Sequence, residues 1–439
     1  SYNVAIGSSA GAAVTTGTGN TIVGGLAGDA LTTGSYNVAL GTYALSNEDT
    51  GSRNIAIGFN ALASQNYDGN SYNVAMGYNA GTAVTTGTVN TLVGGLAGDA
   101  ITEGHSNVAV GYQALSTNVD GDGNTAIGYS ALFALEPANG YSYNTAVGYN
   151  AGVDMSTGTQ NTLLGADSGK NLTTGTNNVA IGFEALAAED EHSFNVAIGH
   201  RALKTQNAGA SAYNTAVGYN AGLAMSTGIQ NTIMGSFAGD ALTTGSYNVA
   251  LGYLALSLED TGNRSTAVGY EALGQQNYNG DAYNTACGMW AGKAVTTGVS
   301  NTFLGYQAGA ALTTGFNNII IGKGAAASAV GVGNEVNLYN GSVVARFQGS
   351  ASGWSFVSDE RDKSDIEDLE LGTEFINKLK PRKFKWNHRS TDNDKGKQAS
   401  GFVAQEVKEV LDKENINYTG LVDTNDPNQY TLAQANLIP

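Results

Sequence analysis

Asn3-Val4-Ala5-Ile6-Gly7, a pentapeptide of the form Asn-x-apolar-apolar-Gly, returns as Asn20-Thr21-Ile22-Val23-Gly24 and Asn37-Val38-Ala39-Leu40-Gly41, and is last met as Asn318-Ile319-Ile320-Ile321-Gly322. Most closing glycines are seventeen residues apart, whereas the steps Gly58 to Gly77, Gly128 to Gly148, Gly199 to Gly218 and Gly269 to Gly288 are nineteen or twenty. Every fourth unit is therefore longer, and a repeat of about seventy residues overlies the short one. The residue four before the glycine is Asn except at Ser265, and the residue three after it is Ala except at Ser168. Small residues fixed in phase mean a backbone that turns tightly and packs closely on its neighbours. Thr-Thr-Gly turns, as at Thr15 to Gly17 and Thr313 to Gly315, separate short β-branched runs that read as strands. The pattern predicts a mainly β fold: a solenoid of 17-residue coils, each burying its apolar face only by stacking on the next.

Composition supports repetition over a single globular core. The 439 residues include 61 glycines and only 4 prolines, without collagen periodicity. Only 13% of residues are charged and the net charge is -17, which argues against nucleic acid and anionic membranes as partners. No apolar run approaches the roughly 18 residues that span a bilayer, so membrane insertion is not expected. Residues 1 to 335 carry 7 Lys and Arg against 21 Asp and Glu, a net of -14, while residues 336 to 439 carry 13 against 16, a net of -3. Two domains and a link follow: a repetitive shaft over 1–333, a β junction over 334–357 built around the turn Asn340-Gly341, and a small α+β domain over 358–439.

The single cysteine, Cys287, fills the apolar slot before Gly288 and is expected to be a buried core thiol. One thiol builds neither a disulfide nor a zinc site. The run Asp120-Gly121-Asp122-Gly123-Asn124 lacks the remaining EF-hand ligands, and His105, His192 and His200 stand in unrelated contexts and read as solvated. No metal or cofactor is expected. Aromatics gather just after the glycine (Tyr78, Tyr129, Tyr253) and five before it (Tyr36, Tyr143, Tyr283), where they read as seals between coils or chains. The long units carry polar loops, among them Gln65 to Asn70 and Gln275 to Asp281, which should protrude in tiers.

The pattern Asn-Val-Ala-Ile-Gly-x-x-Ala resembles the head repeats of trimeric autotransporter adhesins and related phage fibres over residues 1 to about 330. That resemblance implies a trimeric parallel β-roll, with the chain itself as its partner. The start at Ser1, inside a repeat, leads one to expect further chain upstream.

Beyond Gly333 the composition changes. A helix is expected from Thr373 to Leu379, stopped by Pro381, then a strand at Lys383 to Trp386 and a strand-to-helix element at Gly401 to Val407. The segment Ser358-Asp359-Glu360-Arg361-Asp362-Lys363, then Phe375 to Pro381, Phe384-Lys385-Trp386, Gly401 to Val407 and Leu437-Ile438-Pro439 resemble in order the intramolecular chaperone of endosialidases and tail spikes, the self-cleaving S74 peptidases. The resemblance implies a nucleophile at Ser358, a general base at Lys363, cleavage between Ser358 and Asp359, and a further helix after Pro439. A lysine acts as a base only when desolvation lowers its pKa. Ring size bears on the bond, because Ser358 attacking its own carbonyl closes a four-membered ring, whereas attack on the Val357 carbonyl closes a five-membered one.

Taken together these features predict a homotrimeric phage tail-fibre subunit, placed on the virion and engaged with other tail or fibre proteins and a host polysaccharide or receptor. Its C-terminal chaperone would nucleate the trimer and release itself once by Ser-Lys autoproteolysis. The alternative is a bacterial trimeric surface adhesin with a catalytically inert C-terminal domain.

Overall fold

Three residues separate each repeat Asn from its Gly, and those three form a strand. In the computed structural model, which describes residues 2–137, 140–342, 344–348, 355–356, 373–385, 398–416, 422–423 and 431–432, nineteen such strands run from β1 (Val4–Ile6) to β19 (Ile319–Ile321). Each pairs in parallel with the strand of the next coil, Val4 with Thr21, Ala5 with Ile22 and Ile6 with Val23 in the first pair. The strands are shorter than the four- or five-residue runs in the sequence, because the flanking Asn and Gly are committed to other geometry. The chain divides into two compact units, Ser1–Val357 and Ser358–Pro439.

Both flanking residues hold the coils together. The backbone N–H of Asn20 donates to Asn3 Oδ1 at 2.8 Å, and Asn20 Nδ2 donates to the Gly34 carbonyl of the next coil at 2.9 Å. Asn37 N–H then donates to Asn20 Oδ1 at 2.8 Å, and the ladder continues along the unit with its amides out of water. A buried amide is tolerated there because its donor and acceptor are both satisfied, Asn195, whose Nδ2 has no partner, being an exception. Where the sequence breaks to Ser265, its N–H still donates to Asn248 Oδ1, and Gln276 Nε2 reaches the Ser265 hydroxyl at 2.8 Å. The closing glycines stack in a column. Gly148 has φ +147°, and a Cβ there would lie 2.3 Å from the carbonyl oxygen of Gly165, so no side chain fits.

The interior explains the four-coil period. Alanines and larger apolar residues fill it, and bulky strand-centre residues recur at every fourth coil as Ile22, Leu92, Leu163, Ile233 and Phe303, with Ile320 added in the coil after Phe303. Each faces a glycine: a Cβ on Gly98 would lie 2.8 Å from Leu92, and one on Gly309 would lie 2.2 Å from the Phe303 ring. The position four after the closing glycine runs Gly, Gly, Leu, Leu through the four coils, as at Gly81, Gly98, Leu115 and Leu132, so that leucine there always accompanies an alanine strand centre. Bulk in one coil thus fills the space that glycine leaves in its neighbour, as Leu62 and Leu92 both do at Gly81.

After β19 the sheet gains β20 (Glu335–Tyr339), parallel to β19, and then β21 (Val344–Gln348) and β22 (Ser355–Phe356), both antiparallel. The expected hairpin at Asn340-Gly341 is present, with Ser342 N–H donating to Asn340 Oδ1. Glu335 takes the ladder position of Asn and ends it, its N–H on Asn318 Oδ1 and its buried carboxylate 3.3 Å from Arg346.

The C-terminal unit contains α1 (Thr373–Lys378), β23 (Arg382–Lys385) paired antiparallel with β24 (Gln398–Gly401), α2 (Ala404–Lys413), and the short pair β25 (Val422–Asp423) and β26 (Thr431–Leu432). Phe375 and Leu379 from the first helical segment close on Val407 and Leu411 of α2, with Phe402, Val410, Ile416 and Val422 around them. The fold is therefore mainly β, a solenoid with a small α+β region after it.

Candidate functional site

Ser358, Asp359 and Lys363, with Arg361 and Asp362 of the same motif, lie outside the described residues. What is described of this unit is the frame that follows the motif. In α2, Val407 and Leu411 stand one turn apart and face α1, which leaves Glu406, Lys408, Glu409 and Asp412 to water. Arg382 at the start of β23 makes a two-pronged ion pair with Glu406, Nε to Oε2 at 2.9 Å and Nη2 to Oε1 at 2.7 Å, tying the hairpin to α2. Arg382 holds the Glu406 carboxyl below its ordinary pKa. Lys378 bridges α1 to Glu414 beyond α2 at 2.8 Å. No pattern in the sequence announced these two pairs, because their partners are 24 and 36 residues apart.

The solenoid holds a second set of chemistry that the repeat reading missed. Glu48, Glu189 and Glu259 occupy equivalent places, each preceding an aspartate before a long unit, and all three are fully buried. Glu48 Oε1 accepts the Gly51 N–H at 2.6 Å, and Glu259 Oε1 accepts the Gly262 N–H at 2.8 Å while its Oε2 accepts Gln276 Nε2 at 2.7 Å. Burial pushes all three carboxyl groups above their ordinary pKa, against the pull of those donors. In the second tier Asn118 stands in their place and accepts the Gly121 N–H at 2.9 Å. The requirement is an acceptor that closes the turn; the recurring Glu-Asp pair was its trace in the sequence.

Glu189 adds a histidine. His192 Nδ1 lies 2.6 Å from Glu189 Oε1 and its side chain is only 11% exposed, so this residue is not solvated as expected. Glu189, Asp190 and His192 are the metal-ligand types that come together among the described residues. The close Nδ1–Oε1 contact makes a hydrogen-bonded pair that orders the turn. His200 also departs from expectation, since its ring stacks between Phe183 at 5.4 Å and Tyr219 at 4.9 Å. It belongs to a ladder continuing through Phe237, Tyr253, Tyr270 and Trp290 to Tyr306, with centroids 4.9 to 6.2 Å apart. His105 is exposed. The second tyrosine column is exposed too, and Arg264 lies over both Tyr247 and Tyr283 at 5.5 and 5.7 Å.

Cys287 corrects the expected core thiol. It is the last residue of its strand, and from β2 to β19 the central residue is buried while the two flanking ones are not. Its thiol is exposed.

A family model described as the chaperone of endosialidase, Peptidase S74, matches residues 358–416. No curated protein and no solved structure shows significant similarity to the chain. The match covers α1, the β23–β24 hairpin and α2, and includes the motif that holds Ser358 and Lys363. Residues 358–416 are thus similar to the chaperone of endosialidase, and they follow a β-solenoid of short coils, a combination that fits a tail-fibre or endosialidase-type protein.

Proposed function

We propose that this chain is the structural subunit of a homotrimeric phage tail fibre that takes part in host attachment, and that its C-terminal domain nucleates the trimer and then cuts itself off. The observation that carries the reading is the chaperone match at residues 358–416 following a solenoid of near-identical coils. Identical repetitive chains can associate in registers slipped by one coil, since a seventeen-residue shift presents almost the same faces. A domain with one packing solution, placed after the repeats, removes that ambiguity. After its release the assembled shaft persists by its unfolding barrier, because refolding has lost its nucleus.

For the release step, Lys363 takes the proton of the attacking oxygen and returns it to the departing amide nitrogen. The attacking oxygen is either a water molecule, which hydrolyses the bond directly, or a Ser358 hydroxyl, which leaves an ester that a water molecule then hydrolyses; the bond broken lies beside Ser358. Lys363 is a base only when desolvated, so cutting follows assembly and reports a finished fold. Wild-type full-length protein should give two bands on a denaturing gel, whereas Ser358→Ala and Lys363→Ala should each give one. Sequencing the N-terminus of the small band identifies the bond. A wild-type chain that assembles and stays whole defeats the peptidase assignment and leaves the chaperone role.

A further inference from the structure

The residue before each closing glycine points away from the core, yet from Ile6 through Ile321 it is always Ile, Val, Leu, Met or Cys, and none of these side chains is buried. Leu164, Met234 and Leu304 are each 46% exposed. The neighbouring outward columns behave differently. The position after the glycine accepts Gly25, Thr42, Ser236 and Lys323 as well as aromatics, and the position five before it accepts Arg53, Ser106 and Gln160. Among columns that face out equally, one is held apolar without exception. Water makes no such demand on a surface; a dry contact does.

We infer that this aliphatic stripe is the seam along which three copies of the chain meet, parallel and in register, each stripe residue facing its own counterparts. The inference rests on the trimeric reading above and adds the face and the register. The occupant must be as long as the stripe and share its rise per coil. Nineteen coils at about 4.8 Å each give a stripe roughly 90 Å long, and a face about 10 Å wide then amounts to on the order of 900 Å² per chain, enough for a stable interface. Another copy of this chain has that length, that spacing and that chemistry. Rotation about an axis along the rod brings stripe to stripe over its whole length and sets each residue against itself. An antiparallel pairing would instead set Cys287 against the other end of the solenoid.

Cys287 stands in the stripe and reports on it. In full-length protein assembled under native conditions, sedimentation should give three chains per particle, and Cys287 should react with a thiol reagent at least tenfold more slowly than in denatured chain. Oxidation by copper phenanthroline and dioxygen, which takes two electrons and two protons from two thiols, should give covalent dimers on a non-reducing gel. Leu164→Asp should yield folded single chains by circular dichroism, whereas Tyr253→Ser, in the neighbouring column, should stay assembled. A trimer whose Cys287 reacts as fast as denatured chain, or which tolerates Leu164→Asp, overturns the seam and leaves the trimer standing. A folded wild-type monomer overturns both.

Discussion

The solenoid and the C-terminal unit solve the burial problem in opposite ways. Each coil fills its interior with alanine and one or two larger residues, ties its Asn to the coils on either side, and meets only its neighbours in the stack. The C-terminal unit brings Phe375, Leu379, Val407 and Leu411 together from two helical segments and secures them with Arg382–Glu406 and Lys378–Glu414. Stability in the first is a sum of nearly equal nearest-neighbour contributions, so nothing in any one coil specifies its place. In the second each contact occurs once, so register is unique. A stack of repeated contacts and a core of contacts made once are different physical solutions, and this chain assigns them to different residues.

The largest effect should come from a charge placed inside a coil. Ala151 is fully buried, and Ala151→Asp should destabilise the solenoid by about 4 kcal/mol or more, because the carboxylate finds no partner there. Asn279→Asp, on an exposed long-unit loop, should stay within about 0.5 kcal/mol. Heat resistance of the two variants decides the matter; equal losses would mean that the coil interior has been misassigned.

Phe375→Ala tests the division of labour itself. Removing that ring should destabilise the C-terminal unit by about 3–4 kcal/mol. It should lower the yield of assembled particles while leaving the melting temperature of those that do form unchanged. A variant with normal yield, or with a less heat-resistant shaft, would show that the two units do not divide nucleation and persistence between them.

A smaller and pH-dependent effect belongs to the buried carboxyls. The folded pKa of Glu259 is raised above its ordinary 4.5, so the folded chain binds that proton more tightly than the unfolded one. Stability from this group is fully present below pH 4.5 and is lost as pH rises through the raised folded value. Glu259→Gln removes that dependence, as does the second tier's Asn118 by nature. Thermal unfolding at pH 5 and pH 8 should show a smaller difference between the two conditions for the variant than for wild type. An unchanged difference would place the titration elsewhere.

Much of the fold was legible because its strongest constraints are periodic. Gly recurs where a close backbone approach admits no side chain, Asn recurs where the ladder needs both a donor and an acceptor, and Asn340-Gly341 marked its hairpin. In the C-terminal unit the expected helix and strand came within a residue of α1 and β23, whereas the element expected at Gly401 to Val407 marked only the end of β24 and the start of α2, which runs on to Lys413. The candidate site was legible only as a resemblance, since a serine five residues before a lysine carries no geometry of its own. Cys287 was misplaced because an apolar slot was read as an inward one, although strand alternation and the inward alanine beside it point the other way.

By itself the sequence determined the coil, its seventeen-residue step, the lengthening of every fourth unit and the change of character after Gly333. Tertiary structure alone decided which apolar residues meet which. Phe303 needs Gly309 because a Cβ there would lie 2.2 Å from its ring, and Glu48 is buried because Gly51 offers it an N–H at 2.6 Å. The physical reason is that periodicity records what every coil must do for its own backbone, while volume and hydrogen-bond matching are settled between residues brought together only by the winding of the chain.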